Sequence, residues 1–130
     1  MAYTTIDNGS EYFNTVLYTG NDVDDRSITG VGFQPDWVWG KDRTDARNHE
    51  LYDSSRGATK RIQTSLTSAE STQANNLQAF ESDGFEVGSG PGMNADTKNF
   101  VAWNWKANGG TTSSDSNGSI TSTVQANTTA

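Results

Sequence analysis

The four tryptophans of this chain occur as two W-x-W pairs, Trp37 with Trp39 and Trp103 with Trp105. Residues two apart on a β-strand point to the same face, so each pair places its indole rings side by side on one side of a sheet. Rings arranged in this way have two uses. They fill the space between two sheets, or they form an exposed surface on which sugar rings stack while asparagine and aspartate bind the hydroxyls.

The two uses predict different environments for the same residues. A sugar-binding surface predicts glycan contacts from Trp37, Trp103 and the adjacent polar residue Asn104. A core position would explain how a chain that is only 32% hydrophobic packs at all. The side of the second strand that carries Val101, Trp103 and Trp105 is wholly apolar, as a core-facing side should be. We therefore expect the tryptophans to lie in the core, with sugar binding as the alternative.

Residues suited to acid–base chemistry form no recognisable catalytic pattern. The single histidine, His49, would have to serve any Ser-His-Asp triad alone, and we expect it to be structural or exposed. Nucleophile-elbow, zinc-protease and P-loop motifs are absent. A carboxylate pair for glycoside hydrolysis could be drawn from four residues, but any acidic chain offers such pairs. These four are Glu50, Asp53, Glu81 and Glu86. We expect no enzyme and no catalytic residues.

Metal binding has one weak candidate. The absence of cysteine excludes disulfides and thiolate metal sites. The acidic turn at residues 21–25, NDVDD, offers Asp22, Asp24 and Asp25 as oxygen ligands for calcium, but no EF-hand spacing follows. We expect a solvated turn and no cofactor, with calcium at these three residues as the weaker alternative.

The charge and the termini of the sequence limit the classes of partner. A net charge of −7 opposes binding to nucleic-acid phosphates. No apolar run has the length of a membrane span, and the first residues lack the basic and apolar regions of a secretory signal. We expect no nucleic-acid partner, no membrane insertion, and synthesis in a cytoplasm without a secretion signal.

Abundant glycine and threonine with few aliphatic residues predict an all-β chain of short strands. The tryptophan strands, at residues 36–41 and 99–107, should be partners. A hairpin is expected at residues 77–87 around Asp83-Gly84, and one helical turn at most at residues 67–76. Residues 88–96 read as a flexible loop. Further strands are expected at residues 12–20, 50–53 and 58–66.

The composition changes after residue 107 and divides the chain into two parts. Residues 1–107 are predicted to form a β-sandwich domain. Residues 108–130 are rich in threonine and serine and have only Ile120 and Val124 as sizeable apolar residues. This tail is either a linker or an edge strand exchanged with a neighbouring chain, in which case Ile120 and Val124 would be its assembly contacts.

Six segments of the chain carry a resemblance to known proteins: YFNTVLYTGN, SITGVGFQPDWVWGKDR, LYDSSRGATKRI, FESDGFEVGS, FVAWNWKANGG and GSITSTVQANTTA. Together they resemble a repeated module of the structural, tail-fibre-like proteins of marine and cyanobacterial phages. These modules look related to concanavalin-like or laminin-G-like folds, so the resemblance implies an antiparallel, jelly-roll or laminin-G-like β-sandwich with an extended C-terminal tail. Gly40 departs from the pattern, because a larger apolar residue is expected there, and this indicates a bulge or a close approach of another segment.

The resemblance also implies a function. The chain would be a non-enzymatic structural or adhesive protein of a phage virion, a fibre or surface-decoration subunit used in host attachment. It would form a homo-oligomer, most often a trimer, together with other virion proteins. The alternative is a carbohydrate-binding module that recognises a polysaccharide on the host surface.

Overall fold

Short strands separated by turns build the chain. The structure, a computed structural model, describes residues 8–127. A 3-10 turn (Gly9–Glu11) and one short helix, α1 (Pro91–Asn94), accompany the strands. In chain order the strands are β1 (Phe13–Thr19), β2 (Arg26–Thr29), β3 (Trp37–Asp42), β4 (Glu50–Asp53), β5 (Lys60–Gln63), β6 (Ser71–Thr72), β7 (Leu77–Glu81), β8 (Gly84–Val87), β9 (Asn99–Trp105), β10 (Ser113–Asp115) and β11 (Ser122–Val124).

Within residues 8–127 the strands form three sheets, and their pairings are antiparallel. The largest sheet has six strands in the order β1-β9-β3-β4-β5-β6, and the second has three in the order β2-β8-β7. Strands β10 and β11 form a separate two-stranded hairpin. The all-β, antiparallel prediction is confirmed, and the two tryptophan strands pair as expected, because Trp37 lies opposite Trp105 and Trp39 opposite Trp103.

One hydrophobic core lies between the six-stranded and the three-stranded sheets. The six-stranded sheet contributes Val38, Tyr52 and Ala102, and the three-stranded sheet contributes Leu77 and Phe85. All five side chains are fully buried. Since both sheets supply one cluster, the arrangement is consistent with a β-sandwich. Burial of the larger side chains, at about 1.5–3 kcal/mol each, is the main force that holds the sheets together.

The prediction that the tryptophans fill this core is wrong. They lie on the outward side of the six-stranded sheet, where Trp37 is 44% exposed and Trp105 is 39% exposed. The inward residues are Val38, Gly40 and Asp42 on β3 and Phe100, Ala102 and Asn104 on β9. Both sides of these strands carry apolar residues, so alternation alone does not determine which side faces the second sheet.

Asn104 lies on the inward side, away from the tryptophan rings, and is fully buried. Its amide nitrogen donates hydrogen bonds to the backbone oxygens of Asn14 (3.2 Å) and Ala102 (3.0 Å). These bonds offset the cost of burying a polar amide, which is why a polar residue between two tryptophans does not mark a solvent-facing side. The prediction of Asn104 as a glycan contact is therefore wrong.

Gly40 makes room for helix α1. A Cβ atom at Gly40 would lie 2.4 Å from the sulfur of Met93, a residue of α1 that is fully buried in the core. The pairing of β3 with both of its neighbours runs through Gly40 without a shift, so there is no bulge. Of the two readings of Gly40, the close approach is the one present, and the approaching group is the Met93 side chain.

Of three local predictions, one is confirmed and two are changed by the structure. The hairpin at residues 77–87 is present as β7 and β8, with Phe80 opposite Phe85. Residues 67–76, where one helical turn at most was expected, form none and contain strand β6, which pairs with β5. The short helix instead occupies part of the segment predicted as a loop, where Pro91 supplies a backbone angle suited to a first helical turn.

The tail folds back on itself in the part that the structure describes. Val124 lies opposite Ser113 in the β10–β11 hairpin, and Ile120 is 79% exposed between the two strands. A single chain does not test exchange with a neighbour, so the assembly role of Ile120 and Val124 stays a prediction. Within residues 8–127, no helix combines the length and the apolar character needed to cross a bilayer.

Candidate functional site

The outward side of the six-stranded sheet carries a continuous group of aromatic rings, the tryptophan face. It consists of Phe13, Trp37, Trp39, Trp103 and Trp105. Antiparallel register sets Phe13, Trp105 and Trp37 in one row across β1, β9 and β3. The ring centroids of Phe13 and Trp105 are 4.8 Å apart, and those of Trp105 and Trp37 are 6.3 Å apart at an interplanar angle of 77°. Trp103 and Trp39 form the second row, with centroids 5.2 Å apart.

The two rows differ in how firmly their side chains are held. The indole N–H of Trp39 donates to the hydroxyl of Thr64 at 3.1 Å, and the ring packs against His49 with centroids 5.5 Å apart. Within residues 8–127, the indole N–H groups of Trp37 and Trp105 donate no hydrogen bond. The half-buried row of Trp103 and Trp39 thus supports the exposed row, in which the indole rings and N–H groups of Trp37 and Trp105 are open to a ligand.

A groove of about 680 Å³ lies along the exposed row, at the end of the sheet where β3 begins and β9 ends. Its size is within the range of about 300–1,000 Å³ typical of small-molecule sites. Indole rings form much of its surface, and polar groups stand at its margin. The residues that line it are Asp36, Trp37, Trp39, Asp53, Ser55, Trp105, Lys106, Ala107 and Gln125.

Asp36 fixes one wall of this groove. Its buried carboxylate accepts hydrogen bonds from the backbone N–H groups of Ala107 (2.6 Å), Gly109 (2.9 Å) and Gly110 (2.7 Å). It also accepts one from the hydroxyl of Ser54, at 2.6 Å. Bonds to a charged acceptor are about twice as strong as neutral ones, so one side chain orders the segment that follows β9. Asp36 is a positioning residue, because its oxygens are used inside the protein.

Charges at the groove are paired inside the chain. Arg56 contacts the carboxylates of Asp53 at 2.5 Å and Glu70 at 2.9 Å. Burial alone would lower the pKa of Arg56, but the hydrogen bonds and charges of these two carboxylates raise it. The Lys106 ammonium lies 6.0 Å from the centre of the Phe33 ring, within cation–π distance. In the described part of the chain, residues 8–127, the groove therefore presents no cluster of unpaired like charges.

The structure brings together part of the glycan contact set predicted from sequence. Trp37 and Trp103 share the tryptophan face, although Trp103 is not among the residues that line the groove. Sequence reasoning left Trp105 and Phe13 out of that set. The two-residue spacing from Trp103 was a sufficient signal for Trp105. For Phe13 there was none, because only the pairing of β1 with β9 places it beside Trp105.

The carboxylates considered for glycoside hydrolysis are divided between the two larger sheets. Glu50 is buried on the inward side and bonds to the hydroxyl of Tyr52 (3.2 Å) and the amide of Gln63 (3.0 Å). Asp53 points outward beside the groove, and Glu81 and Glu86 belong to the three-stranded sheet. His49 packs against an indole ring, as a structural role requires.

The acidic turn considered for calcium lies between β1 and β2. Asp22 and Asp25 have positive φ angles, and one carboxylate oxygen of Asp24 accepts hydrogen bonds from Gln78 (3.2 Å) and from the backbone of Ser89 (3.3 Å). Across residues 8–127, no three acidic or histidine side chains are grouped so that they could hold a metal ion. Calcium at Asp22, Asp24 and Asp25 stays a prediction.

Comparison with known proteins adds one relationship. No curated protein and no solved structure matches this chain. One family model matches residues 8–130, which is nearly the whole sequence, and its description is "Domain of unknown function (DUF7483)". Because this match covers nearly the whole sequence, the chain belongs to the DUF7483 family.

Proposed function

We propose that this chain is a non-enzymatic, structural and adhesive module of a phage virion, and that its tryptophan face binds a neutral glycan of the host surface. The observation that carries the proposal is the exposure of Trp37 and Trp105 beside a groove of about 680 Å³. Exposed indole rings on a soluble domain mark an interaction surface, because they forgo the free energy that burial would supply.

Sugar stacking fits the geometry of these rings. The C–H side of a pyranose ring is apolar and packs against an indole, whereas its hydroxyls need polar partners at the edge. The two rings meet at 77°, so one ligand can contact the face of one indole and the edge of the other. The hydroxyl of Ser55, which accepts a hydrogen bond from the Gln125 amide at 2.9 Å and keeps its own O–H to donate, and the free indole N–H groups of Trp37 and Trp105 supply hydrogen-bond partners at the margin.

Charge favours a neutral glycan over an acidic one. The chain carries a net charge of −7, which repels a polyanionic polysaccharide. Arg56, the cation next to the groove, is already paired with Asp53 and Glu70. Among residues 8–127, Lys106 is the one cation that lines the groove, and its exposed ammonium, which lies within cation–π distance of Phe33, gives little affinity for a carboxylated sugar.

The virion assignment extends the resemblance of the sequence to phage tail-fibre-like modules. It places the chain in a fibre or a surface decoration, with a jelly-roll or laminin-G-like sandwich, made in the host cytoplasm and assembled with copies of itself and with other virion proteins. A trimer is the oligomer that the resemblance implies, whereas pairing of two chains at a sheet edge would give a dimer, and the mass of the protein in solution decides between the two. In this setting the tryptophan face would be the host-attachment surface.

A second candidate use of the same face is burial against another virion subunit. It is favoured by apolar exposure that extends beyond the groove, to Phe13 (40% exposed) and Leu17 (61% exposed) on β1. A sugar held in the groove would not cover these residues. Self-assembly and glycan binding therefore predict different effects of substitutions at the groove.

Calorimetric titration against panels of neutral and acidic polysaccharides tests the glycan assignment. We expect binding to at least one neutral glycan, and loss of about 2 kcal/mol or more, roughly thirty-fold in Kd, for Trp37→Ala and for Trp105→Ala. The control is Val23→Ala, which trims an apolar residue that is 54% exposed in the β1–β2 turn.

Three outcomes oppose the glycan assignment. Binding that is unchanged in both tryptophan variants would place the site elsewhere. A preference for acidic glycans would contradict the charge argument. Absence of binding, together with an oligomer that dissociates in Trp37→Ala, would assign the face to subunit contact instead.

A further inference from the structure

Strand β1 forms one edge of the six-stranded sheet, with β9 as its neighbour on the other side. The N–H of Lys106 donates to the carbonyl of Tyr12 (2.9 Å), and the N–H of Gly20 donates to the carbonyl of Lys98 (2.7 Å). In an antiparallel pair such bonds occur at alternate residues, so the even-numbered residues of β1 bond to β9. The odd-numbered residues, Phe13, Thr15, Leu17 and Thr19, turn their backbone groups toward the open edge.

Two of these outward groups already have partners within the chain. The N–H of Thr15 donates to the side chain of Asn14 at 3.1 Å, and the carbonyl of Thr19 accepts from the guanidinium of Arg26 at 2.8 Å. Within residues 8–127, four others from Thr15 to Thr19 have none: both backbone groups of Leu17, the carbonyl of Thr15 and the N–H of Thr19. The edge is therefore a partly unsatisfied hydrogen-bonding template.

The other sheet edges are protected in ways that β1 is not. Strand β6 has two residues, and β2 has four and begins with Arg26. Strand β7 carries the charge of Glu81 and has an irregular register between Leu77 and Ala79. Short length, charge and irregular register are the usual protections of edge strands. Strand β1, by contrast, is seven residues long, regular in register and uncharged, with the sequence FNTVLYT.

We propose that β1 pairs antiparallel with β1 of a second copy of this chain, with Leu17 opposite the second copy's Leu17. In this register the free N–H of Leu17 donates to the carbonyl of the second copy's Leu17, and the free carbonyl of Leu17 accepts from the N–H of that residue. The free N–H of Thr19 donates to the free carbonyl of the second copy's Thr15. The groups that already have partners, the N–H of Thr15 and the carbonyl of the second copy's Thr19, face each other. A second copy is the occupant that matches, because every contact is reciprocal, as a twofold interface requires.

Charge and apolar surface support a second copy as the partner. Two chains of net charge −7 repel each other, so they approach at the lowest electrostatic cost through a surface without charged side chains. Strand β1 carries no charged side chain. Leu17 is 61% exposed on the outward side of the sheet. In the proposed register the two Leu17 side chains meet at the seam and remove each other from water.

The pairing joins two six-stranded sheets edge to edge into one sheet of twelve strands. A twofold axis perpendicular to the sheet keeps both tryptophan faces on the same side. Two grooves would then face one host surface, and binding of the first would hold the second at a high effective concentration. This gain in avidity rests on the proposed glycan function, whereas the dimer itself does not.

Disulfide trapping tests the register directly, because the chain has no cysteine of its own. Hydrogen-bonded antiparallel partners have Cα atoms about 5.5 Å apart, within the range that a disulfide spans. We expect Leu17→Cys to form a covalent dimer under mild oxidation, several-fold faster than Val23→Cys, whose residue is also well exposed but lies off the strand. Equal rates for the two variants would overturn the pairing.

Mass in solution provides the second test. We expect the full chain to sediment at twice its mass of 14.0 kDa, and Leu17→Lys to sediment as a folded monomer because two lysines would meet at the seam. Leu17→Pro removes the outward N–H without adding charge and should act in the same way. Wild-type protein that stays monomeric at high micromolar concentration, or forms a trimer, contradicts the proposal, as does a dimer that survives both substitutions.

The glycan-binding proposal and the dimer proposal are tested independently of each other. Trp37→Ala should weaken glycan binding by the expected factor of roughly thirty or more and leave the dimer intact, since Trp37 is on β3 and the seam is on β1. Leu17→Lys should retain single-site affinity for a soluble glycan and lose at least about ten-fold in apparent affinity for a glycan-coated surface. A dimer without glycan binding would refute the proposed function alone.

Discussion

The two sides of the six-stranded sheet carry equally large apolar residues in opposite environments. On the inward side Phe100 is fully buried and stacks on Tyr18 with ring centroids 5.3 Å apart, whereas on the outward side Phe13 is 40% exposed. Phe13 and Phe100 lie on neighbouring strands of one sheet. The difference between them comes from what lies opposite, because the three-stranded sheet and α1 cover only the inward side. Residue type alone thus does not separate core from binding surface in this chain.

The largest expected effect separates these two phenylalanines. Phe100→Ala should lower the free energy of unfolding by about 3–5 kcal/mol, because it leaves a cavity between the sheets. Phe13→Ala should cost about 1 kcal/mol, since most of its loss is the contact with Trp105. Urea denaturation of both variants measures the difference. Similar losses at the two positions would remove the distinction between the sides.

The inward side is also sensitive to added atoms. Gly40→Ala would place a Cβ atom 2.4 Å from the Met93 sulfur, and the flexible thioether can move only within a filled core. We expect a loss of about 1–3 kcal/mol in stability. Gly9→Ala is the control, because its Cβ would meet no atom within 4 Å. A stable Gly40→Ala variant would show that α1 packs loosely on β3.

Alkaline pH should weaken the inward side. Burial of its hydroxyl raises the pKa of Tyr18 well above the ordinary value of about 10, and burial together with the charge of Glu50 does the same for Tyr52. The folded state keeps both phenols neutral, so their contribution is complete below about pH 10 and is lost as the pH rises beyond it. The free energy of unfolding should fall by up to about 1.4 kcal/mol per pH unit for each tyrosine.

Denaturation midpoints measured from pH 8 to pH 11 check this dependence. Tyr18→Phe cannot ionise and should show a shallower decline than wild type, although it also loses the 2.6 Å hydrogen bond to the carbonyl of Met93. A decline of the same slope in both proteins would mean that the Tyr18 hydroxyl is not held in its neutral form.

The smallest expected effect on stability is on the outward side, at the groove. Trp37→Ala removes the largest side-chain type from an exposed position, and we expect a change of about 1 kcal/mol or less in unfolding free energy. The same substitution at a buried tryptophan would cost about 3–5 kcal/mol. Thermal and urea unfolding distinguish these values, and a core-like loss would indicate that the ring is covered in solution.

Much of the fold follows from the sequence because the relevant signals are local. The strand around ELYD, the hairpin at residues 77–87 and the pairing of the tryptophan strands depend on alternation and turn residues. Which side of β9 faces inward was predicted incorrectly, because the buried Asn104 is stabilised by two backbone carbonyls that no local pattern reveals.

The candidate site was predictable only in part. The W-x-W spacing indicates that two indoles share a side, but the row of Phe13, Trp105 and Trp37 depends on the register between three strands. Asp36 was predicted as the first residue of a tryptophan strand, and its bonds to residues 107–110 join segments about seventy positions apart in the sequence. Such contacts are set by tertiary packing, which single-sequence patterns do not encode.

The central claim is that the exposed row of the tryptophan face binds a neutral glycan. Titration of isotope-labelled protein with a neutral oligosaccharide tests it through the four indole N–H signals, one for each tryptophan. We expect the signals of Trp37 and Trp105 to shift saturably, while that of Trp39, whose N–H is bonded to Thr64, stays nearly constant. If saturable binding left Trp37 and Trp105 unmoved, the face would not be the binding site.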